Sequence, residues 1–515
     1  MMVDLDRRSE APLHKQIRVQ IGRLIGEGTL PADARLPGTR EMARLLKVSR
    51  NTVMRAYDEL VADGCLKVIP RKGIFVESGC RPRTALRTRR SLNAARDGAG
   101  PAREAAVRSD EWAHLLSQQG RRAEALAGPD ESEAAYPGLI RFTGEPVLED
   151  DAWVERLRAA FRDVLAREGA SLLGYAPPEG YGPFREFLVE RLRRHGIHAA
   201  SSEGLLVVNG FREGFSLLAQ TLLEPGDAVF TEDPTYSSAL DVLRYAGARI
   251  VGIPVDEEGM RIDRLEARLE QVQPKFIYTI PTHQNPTGVT LSHSRRQQLL
   301  ELCARRQVLI VEDLFSDELL CGGRFVVPLQ AMDEPGRVLS IGTFSKVICP
   351  ALRVGWVAGP PALVRRLAAA KALTDSFTNT ISQAAVVEYA SQGHLDQHLA
   401  TARREYRARR DRMAALLPEY LPAGSHWQLT EAHLSVWVRL PEAGRGGGVS
   451  SAAAAAHHGV AFREGPRYFV DGGGGDYLGL SVMSATLAQI QPGLQRLAAY
   501  IRREYFHENS SGHRG

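Results

Sequence analysis

A lysine and an arginine, seven positions apart, follow a short apolar run in this 515-residue chain. Residues 338–341 are predicted to form a buried strand, and the polar residues after it include Thr343, Ser345, Lys346 and Arg353. A lysine beside a buried strand is costly unless its charge is used or removed, and condensation with an aldehyde to a Schiff base removes it. Hydroxyls and an arginine suit a phosphate dianion. Pyridoxal 5′-phosphate (PLP) carries both groups, but a surface lysine after a strand fits this stretch equally well.

Five further apolar runs precede this stretch, and helical patterns separate them. Such alternation is typical of a mostly parallel, doubly wound α/β sheet. Ligands bind such sheets at the carboxyl ends of the strands, so a ligand site is expected among the side chains that follow the runs. The runs are residues 205–208, 228–231, 249–253, 276–280 and 308–311.

Several residues that follow these runs have chemistry suited to a ligand. The turn at Gly210 precedes a helix whose first amides can cradle a phosphate, although an ordinary strand-to-helix turn explains it as well. Tyr236 can lie flat on a ring or belong to the core. Asn285, in an Asn-Pro turn, can reach a phenolic oxygen. Glu312 and Asp313 are carboxylates at a buried strand end, and a protonated pyridine nitrogen would serve as the cation they need.

Taken in order, these fragments resemble the fold-type I PLP enzymes of the class I and II aminotransferase group. The resemblance covers most of residues 136–500 and rests on the NPTG sequence, the acidic pair and GTFSK with its trailing arginine. It implies that Lys346 forms the Schiff base, that Asp313 pairs with the pyridine nitrogen, and that Tyr175 reaches the phosphate from the other subunit of a dimer. The remaining implied contacts are Asn285 to the ring hydroxyl, Tyr236 to the ring face, and Thr343, Ser345, Arg353 and the amides near Gly210 to the phosphate.

Two positions depart from the enzyme pattern. Phe315 stands where the family has a tyrosine bonded to the ring hydroxyl, and Gly479 stands where an arginine clamps the substrate carboxylate. Because a bidentate arginine is the main anchor for an α-carboxylate, we expect a site that keeps the cofactor but lacks efficient turnover of ordinary amino acids. Candidates for a different effector anchor are Arg463, Arg467, His283 and His433, and a surface or structural role is the more ordinary explanation of each.

The first 80 residues predict a winged helix-turn-helix. Thr39 and Ser49 are placed to cap the second and third helices. Two short strands after the third helix would form a hairpin wing with a basic tip. The predicted elements are a helix over residues 12–27, a short helix after Thr39 that contains residues 42–46, a helix over residues 50–63, and strands over residues 66–69 and 74–76.

The third helix would lie in the major groove of DNA, with its first residues facing base edges. Residues 1–110 contain 22 Lys and Arg against 13 Asp and Glu, whereas the remainder has 43 against 48, so the excess positive charge is where DNA would bind. A protein-binding three-helix module is the alternative, and the wing, the turn and the charge argue against it. The base-facing candidates are Ser49, Arg50, Asn51 and Thr52, and the phosphate-contacting candidates are Arg40, Arg71 and Lys72.

Residues 12–77 are similar to the winged helix of GntR-type bacterial repressors, and their fusion to an aminotransferase-like domain resembles the plan of MocR-type transcriptional regulators. The resemblance implies a PLP-bound, head-to-tail homodimer that binds a double-stranded DNA operator and responds to an amine, an amino acid or PLP. We expect a winged helix-turn-helix over residues 1–79, a flexible Arg/Ala-rich linker over residues 80–135, and a fold-type I domain with a small C-terminal α+β subdomain over residues 136–508.

Two alternatives remain at this point: an active aminotransferase with an accessory DNA-binding domain, and a PLP-free dimerisation scaffold. The five cysteines are scattered and lack metal-binding spacing, so we expect no metal site and a reduced, cytoplasmic setting. No apolar run approaches the length of a membrane span.

Overall fold

A computed structural model gives the structure of the chain. Arg71, Lys72 and His433 lie outside the described residues, as does most of the predicted linker. The described part forms two compact units, Met1–Leu115 and Leu116–Gly515. The residues described are 12–26, 30–31, 34–62, 65–69, 73–77, 110–127, 138–144, 148, 151–198, 200–315, 325–334, 336–429, 434–442 and 448–506.

The first unit contains a winged helix. Its core joins the inner faces of all three helices, including Ile21, Met42, Val53 and Tyr57. The predicted helices and both wing strands are present, and a third, unpredicted strand pairs antiparallel with the wing to give the order β1-β3-β2. The elements are α1 Leu13–Gly26, α2 Thr39–Leu46, α3 Arg50–Ala62, β1 Arg35–Leu36, β2 Leu66–Ile69 and β3 Gly73–Val76.

The cap predicted for α2 is wrong by one residue. Gly38 has an extended backbone and its carbonyl accepts the Met42 N–H, so Gly38 is the cap and Thr39 begins the helix. The cap of α3 is confirmed, since the Ser49 hydroxyl oxygen accepts the Thr52 N–H at 3.1 Å.

An eight-stranded sheet in the order β5-β12-β11-β10-β9-β6-β7-β8 forms the centre of the second unit. The predicted mostly parallel arrangement is confirmed, with β12 running against its neighbours. β6, β10 and β11 continue two residues beyond the predicted runs, so that Asp313 and Thr343 end strands rather than follow them. The strands are β5 Leu205–Val208, β6 Ala228–Asp233, β7 Arg249–Asp256, β8 Gly259–Met260, β9 Phe276–Thr279, β10 Leu309–Asp313, β11 Val338–Thr343 and β12 Gly355–Ala358.

Helices cover both faces of this sheet. Alternate strand side chains feed two cores: Val229 and Tyr278 pack with α7, α8 and α12, and Phe230 and Ile277 pack with α9, α10 and α11. Those helices are α7 Phe211–Leu222, α8 Ser237–Ala246, α9 Ile262–Leu269, α10 His293–Arg306, α11 Leu329–Met332 and α12 Pro361–Thr374. The other helices of the unit are α4 Gln118–Leu126, α5 Ala152–Glu168, α6 Gly182–Arg194, α13 Thr380–Ser391, α14 His394–Tyr420, α15 Ser451–His458 and α16 Leu487–Tyr500.

The expected small C-terminal subdomain has an antiparallel sheet in the order β13-β14-β17-β16. A short parallel pair, β4 with β15, lies beside it. Its strands are β13 His426–Gln428, β14 Ser435–Arg439, β15 Val460–Ala461, β16 Arg463–Glu464 and β17 Tyr477–Ser481, and β4 is Ile140–Arg141. Among the described helices, none has the length and apolar character of a membrane span.

Candidate cofactor pocket and nucleic-acid interface

The carboxyl ends of the parallel strands meet the amino end of β12 at one edge of the large sheet. Thr343 at the end of β11 is paired with Gly355 at the start of β12, which is paired in turn with Val208 at the end of β5. This register brings residues from distant parts of the sequence to a single edge, because β12 enters where the parallel strands leave.

A cradle at this edge is formed by Gly210, Thr343, Ser345 and Arg353, with Arg353 on one side. Its guanidinium donates to the Ser345 hydroxyl at 3.3 Å and to the Asn209 carbonyl at 2.5 Å. Gly210 has a φ of 85°, and a Cβ there would lie 3.0 Å from the guanidinium, so glycine permits the close approach. The Thr343 hydroxyl oxygen accepts the Ser345 N–H at 3.1 Å. Hydroxyls, a guanidinium and the amino end of α7 therefore converge, as phosphate binding requires.

A buried ion-pair network fixes the loop that carries Gly210. Lys371 on α12 is fully buried, and its amine lies 2.6 Å from Asp375 and 3.6 Å from Glu213. Asp375 accepts a bond from the Asn209 side-chain amide, and Glu213 accepts the Asn209 N–H at 2.9 Å. No sequence pattern predicts this network, because it joins Lys371 and Asp375 at the end of α12 to Glu213 of α7, which is distant in the sequence.

Lys346 lies three residues beyond the end of β11 and is half-buried. Its amine donates to the Gly144 carbonyl at 2.8 Å. It lines a cavity with most of the side chains predicted to contact a pyridine ring. The cavity-lining residues are Phe211, Tyr236, Asn285, Phe315, Thr343, Lys346, Leu434, Ser435, Arg463, Ser481 and Met483.

Asp313 is the last residue of β10 and is buried at this edge of the sheet. Its carboxylate accepts the Tyr278 hydroxyl at 2.8 Å and the Phe315 N–H at 3.0 Å, both of which are neutral donors. Burial raises the pKa of Asp313 to about 7. A cation in contact with this carboxylate would favour its charged form, which fits a protonated pyridine nitrogen.

Glu312, the other member of the acidic pair, has a structural role. It accepts the backbone N–H groups of Leu329 and Gln330, at the start of α11, and the Ser340 hydroxyl. Successive side chains of a strand point to opposite faces, so only one carboxylate of the pair lies on the cradle side.

Asn285 contributes an amide whose oxygen is buried and has no hydrogen-bond partner. Its turn is braced by Gln284, which donates to Glu232 at 3.2 Å and accepts the Thr287 hydroxyl at 2.6 Å. Burial raises the pKa of Glu232 to about 7. A buried amide oxygen normally has a partner, so its lack of one matches a ligand hydroxyl.

Tyr236 and Phe315 supply aromatic walls to the cavity. Tyr236 is half-buried and meets the Phe211 ring edge-on, with 5.4 Å between ring centroids. The site thus combines these aromatic walls with the Asn285 oxygen, the buried Asp313 carboxylate and the cradle at Gly210. The chemistry of this set of residues fits PLP.

The structure does not bring every predicted residue to the cavity. Tyr175 is 96% exposed and contacts Phe377 edge-on. Arg467 is exposed and lies 3.5 Å from Asp241, while His283 lies 3.4 Å from the Thr290 hydroxyl. Burial lowers the pKa of His283, which favours its neutral form.

The start of α3 presents the predicted base-facing residues. Arg50 and Asn51 are exposed, as is Arg40 on α2. Thr52 is half-buried and its hydroxyl lies 2.7 Å from that of Ser49, so both hydroxyls serve the cap. The exposed face therefore offers two cations and an amide.

Sequence comparisons agree with this two-part plan. The family described as "Bacterial regulatory proteins, gntR family" matches residues 13–76, and "Aminotransferase class I and II" matches residues 143–465. The uncharacterized HTH-type transcriptional regulator YisV of Bacillus subtilis is 29% identical over 96% of this chain and 97% of its own length. The probable rhizopine catabolism regulatory protein MocR of Rhizobium meliloti is 32% identical over 82% of this chain and 80% of its own length.

This chain belongs to the MocR-type transcriptional regulators. Among solved structures it is similar to LysN, an α-aminoadipate aminotransferase of Thermus thermophilus, crystallised with N-(5'-phosphopyridoxyl)-L-leucine. The two share 28% identity and a TM-score of 0.69 over 76% of this chain and 98% of LysN. The chain is thus a DNA-binding regulator with an aminotransferase-like domain, and the class I and II fold it shares is that of PLP-dependent enzymes.

Sequence reasoning missed Tyr278, the Lys371 network and the Gly144 carbonyl. Tyr278 belongs to a strand covered on both faces, where no polar alternation marks a functional side chain. Gly144 lies some 200 positions before Lys346, and only the folded chain brings them together.

Proposed function

We propose that this MocR-type regulator binds PLP through Lys346 and senses an amino compound, or PLP itself, at that position. The observation that carries the proposal is the convergence on one cavity of the Lys346 amine, the unpartnered Asn285 oxygen and the edge that holds Asp313. When bound, PLP supplies an aldehyde that condenses reversibly with the lysine amine or with a primary amine from solution.

In this proposal each residue of the site has a defined task. Asp313 holds the ring nitrogen as a cation, Asn285 bonds the ring hydroxyl and Tyr236 covers the ring face. The cradle residues bind the phosphate dianion through charge-assisted hydrogen bonds. The cradle residues are Gly210, Thr343, Ser345 and Arg353.

A head-to-tail homodimer accounts for Tyr175. Its side chain is 96% exposed, a position from which it could reach the phosphate of a partner subunit. Leu173 and Leu373 are also exposed, by 68% and 90%. Leu173 lies two residues before Tyr175, and Leu373 lies four residues before Phe377, the ring that Tyr175 contacts. Exposed apolar side chains of this size are typical of an interaction surface.

Regulation then requires that the effector bind one arrangement of the dimer better than another, because a ligand shifts an equilibrium only through differential affinity. Arg50 and Asn51 would read bases, and Arg40, Arg71 and Lys72 would hold phosphates. Two winged helices imply an operator with two half-sites. Contact with DNA favours a cytoplasmic protein. The proposed domains are residues 1–79 and 136–508, with the linker at residues 80–135 between them, and α4 of that stretch belongs to the second unit.

Efficient aminotransferase activity is not expected. Gly479 removes the usual arginine for the α-carboxylate, and Phe315 lacks the hydroxyl that a tyrosine would offer the ring. The exposed recognition helix and the full-length similarity to regulators favour ligand sensing over turnover.

The test is a spectral titration of the PLP-loaded full chain with a panel of amines and amino acids. We expect a Schiff-base absorbance band that shifts with at least one of these compounds. The band should be absent from Lys346→Ala and present in Lys275→Ala, a control at the surface. The same compound should change operator affinity. Rapid transamination of alanine, glutamate or aspartate would instead support an enzyme.

A further inference from the structure

Gly479 and Arg463 face each other across two paired strands. In the antiparallel register of β16 with β17 they are direct partners, so residue 463 projects its side chain on the face that residue 479 would use. A Cβ on Gly479 would lie 3.3 Å from the Arg463 Cβ and 3.5 Å from the Trp437 ring. The glycine therefore leaves this face to the arginine of the neighbouring strand.

We propose that Arg463 binds the carboxylate of an amino-acid effector, in place of the arginine that Gly479 replaces. This inference rests on the proposed function at Lys346 and adds the chemical class of the effector. A guanidinium is suited to the task because it is permanently charged and offers paired N–H donors that match a carboxylate.

The position of the Arg463 head supports the assignment. Its Nε donates to the Thr143 carbonyl at 2.6 Å, and the Lys346 amine donates to the carbonyl of the next residue, Gly144, at 2.8 Å. Consecutive carbonyls therefore hold the two cations, and both side chains line one cavity. An α-amino acid carries its amine and its carboxylate one carbon apart, which matches a lysine and an arginine held side by side.

The surroundings of Arg463 fix its guanidinium. Its Nη2 occupies the space that a Cβ on Gly144 would need, and Gly144 has a φ of 97°. The buried Tyr468 hydroxyl, whose pKa is raised by burial, also lies within electrostatic reach of the guanidinium, whose charge favours a lower pKa for that hydroxyl. A cation held by backbone and side-chain partners keeps its orientation, so little freedom is lost when an anion binds.

Arg463 also lines a second, adjoining cavity of about 700 Å³. That cavity includes Tyr236, Asp241 and Arg467, and the last residues of α4 form part of its wall. An effector anchored at Arg463 would extend its side chain into this space. The effector would thus contact α4, a helix within the stretch predicted to be the linker.

The other candidate anchors are less well placed. Arg467 lies on the outer cavity, is exposed and has Asp241 as a partner. His283 lies beside Thr290 and does not line the cavity of Lys346. Arg463 alone among the described candidates lines both cavities.

The experiment compares amino acids with the amines that lack their carboxylate. The PLP-loaded full chain is titrated with L-alanine and ethylamine, L-leucine and 3-methylbutylamine, and L-lysine and cadaverine, and the absorbance band is followed. Arg463→Gln should weaken binding of the responsive amino acid by about tenfold to a hundredfold, because its charged hydrogen bonds to the carboxylate are lost. Binding of the matched amine should change by less than about threefold, the spread expected for a contact the amine does not make.

Arg467→Gln is the matched control, because it removes the same charge four residues further along the chain, from a side chain that lines only the outer cavity. It should retain the preference of the wild type for the amino acid. Arg463→Lys, which keeps the charge but not the paired donors, should give an intermediate loss. An unchanged melting temperature and PLP band show that the variants are folded.

The outcomes separate the two proposals. If Arg463→Gln binds amino acids as the wild type does while amines still shift the band, this inference is overturned and the proposed function stands. If no probe shifts the band of the wild type, this inference is overturned together with the sensing of amino compounds at Lys346, and only the sensing of PLP itself is left of the proposed function.

Discussion

Burial governs the protonation of Asp313, the residue assigned to the ring nitrogen. Its carboxylate has neutral donors in Tyr278 and Phe315, and its pKa is raised to about 7. An acid whose pKa is higher in the folded than in the unfolded state contributes stability at low pH. That contribution is lost as the pH rises through the folded pKa, here near 7.

The first prediction concerns this loss in PLP-free protein. Between about pH 5 and about pH 8, Asp313 should lower the free energy of unfolding by about 2–3 kcal/mol, because one pKa unit corresponds to about 1.4 kcal/mol. Asp313→Asn should remove that part of the pH dependence and weaken PLP binding. Urea unfolding at both pH values measures the first effect. Equal pH dependence in the two proteins would show that Asp313 is already charged at low pH.

At the scale of elements, α7 and α12 act together to form the cradle. The buried Lys371 of α12 pairs with Asp375, which bonds the side chain of Asn209 just before α7. Removal of one partner of a buried ion pair leaves the other charge uncompensated, so the loop should lose its position.

The second prediction is that Lys371→Met weakens PLP binding by about tenfold or more, a loss of about 1.4 kcal/mol. Binding of pyridoxal, which lacks the phosphate, should change much less. Lys275→Met serves as the control, since Lys275 is a half-exposed surface residue 3.4 Å from Asp227. Fluorescence titration with both ligands measures the ratio. A parallel loss for PLP and pyridoxal would indicate general destabilisation instead.

The third prediction concerns α3. Arg50 is exposed at the first position of the helix, so Arg50→Ala should weaken specific operator binding by about 1–3 kcal/mol and leave non-specific binding less affected. Lys15→Ala on α1 removes an equal charge and is the control. Gel-shift titrations with operator and scrambled DNA distinguish them. Unchanged affinity of Arg50→Ala for the operator would remove this residue from base reading.

The sequence predicted the elements better than their contacts. Helical periodicity and capping residues located α3, and apolar runs located the strands that end at Asp313 and Thr343. It did not reveal β1, whose two residues are too few for a pattern, or β12, whose glycine and alanine weaken the apolar signal of its four residues. It also left Arg463 as one candidate of four, because the pairing of Arg463 with Gly479 depends on a strand register that no local pattern encodes.

At the scale of the whole molecule, the exposed apolar residues of the second unit need a partner. Leu373 lies in the last turn of α12 and is 90% exposed, and Tyr175 meets Phe377 three residues beyond the end of that helix. Exposed apolar side chains of this size are favourable only when another surface covers them.

The fourth prediction is that Leu373→Asp shifts the protein from dimer toward monomer and weakens PLP binding, because the partner's Tyr175 would no longer reach the phosphate. Leu487→Asp is the control, since Leu487 is 43% exposed at the start of α16, where an acidic residue is favourable. Sedimentation at micromolar concentration measures the assembly. A dimer that survives Leu373→Asp would place the interface elsewhere.

The proposed bond between Lys346 and PLP is the feature on which sensing at this site depends most. Borohydride reduction of the purified, PLP-loaded protein, followed by peptide mapping by mass spectrometry, locates that bond. We predict a pyridoxyl group on the peptide that contains Lys346, and none on the same peptide of Lys346→Ala. A protein that carries no pyridoxyl group after reduction, or carries it on another lysine, would contradict the account.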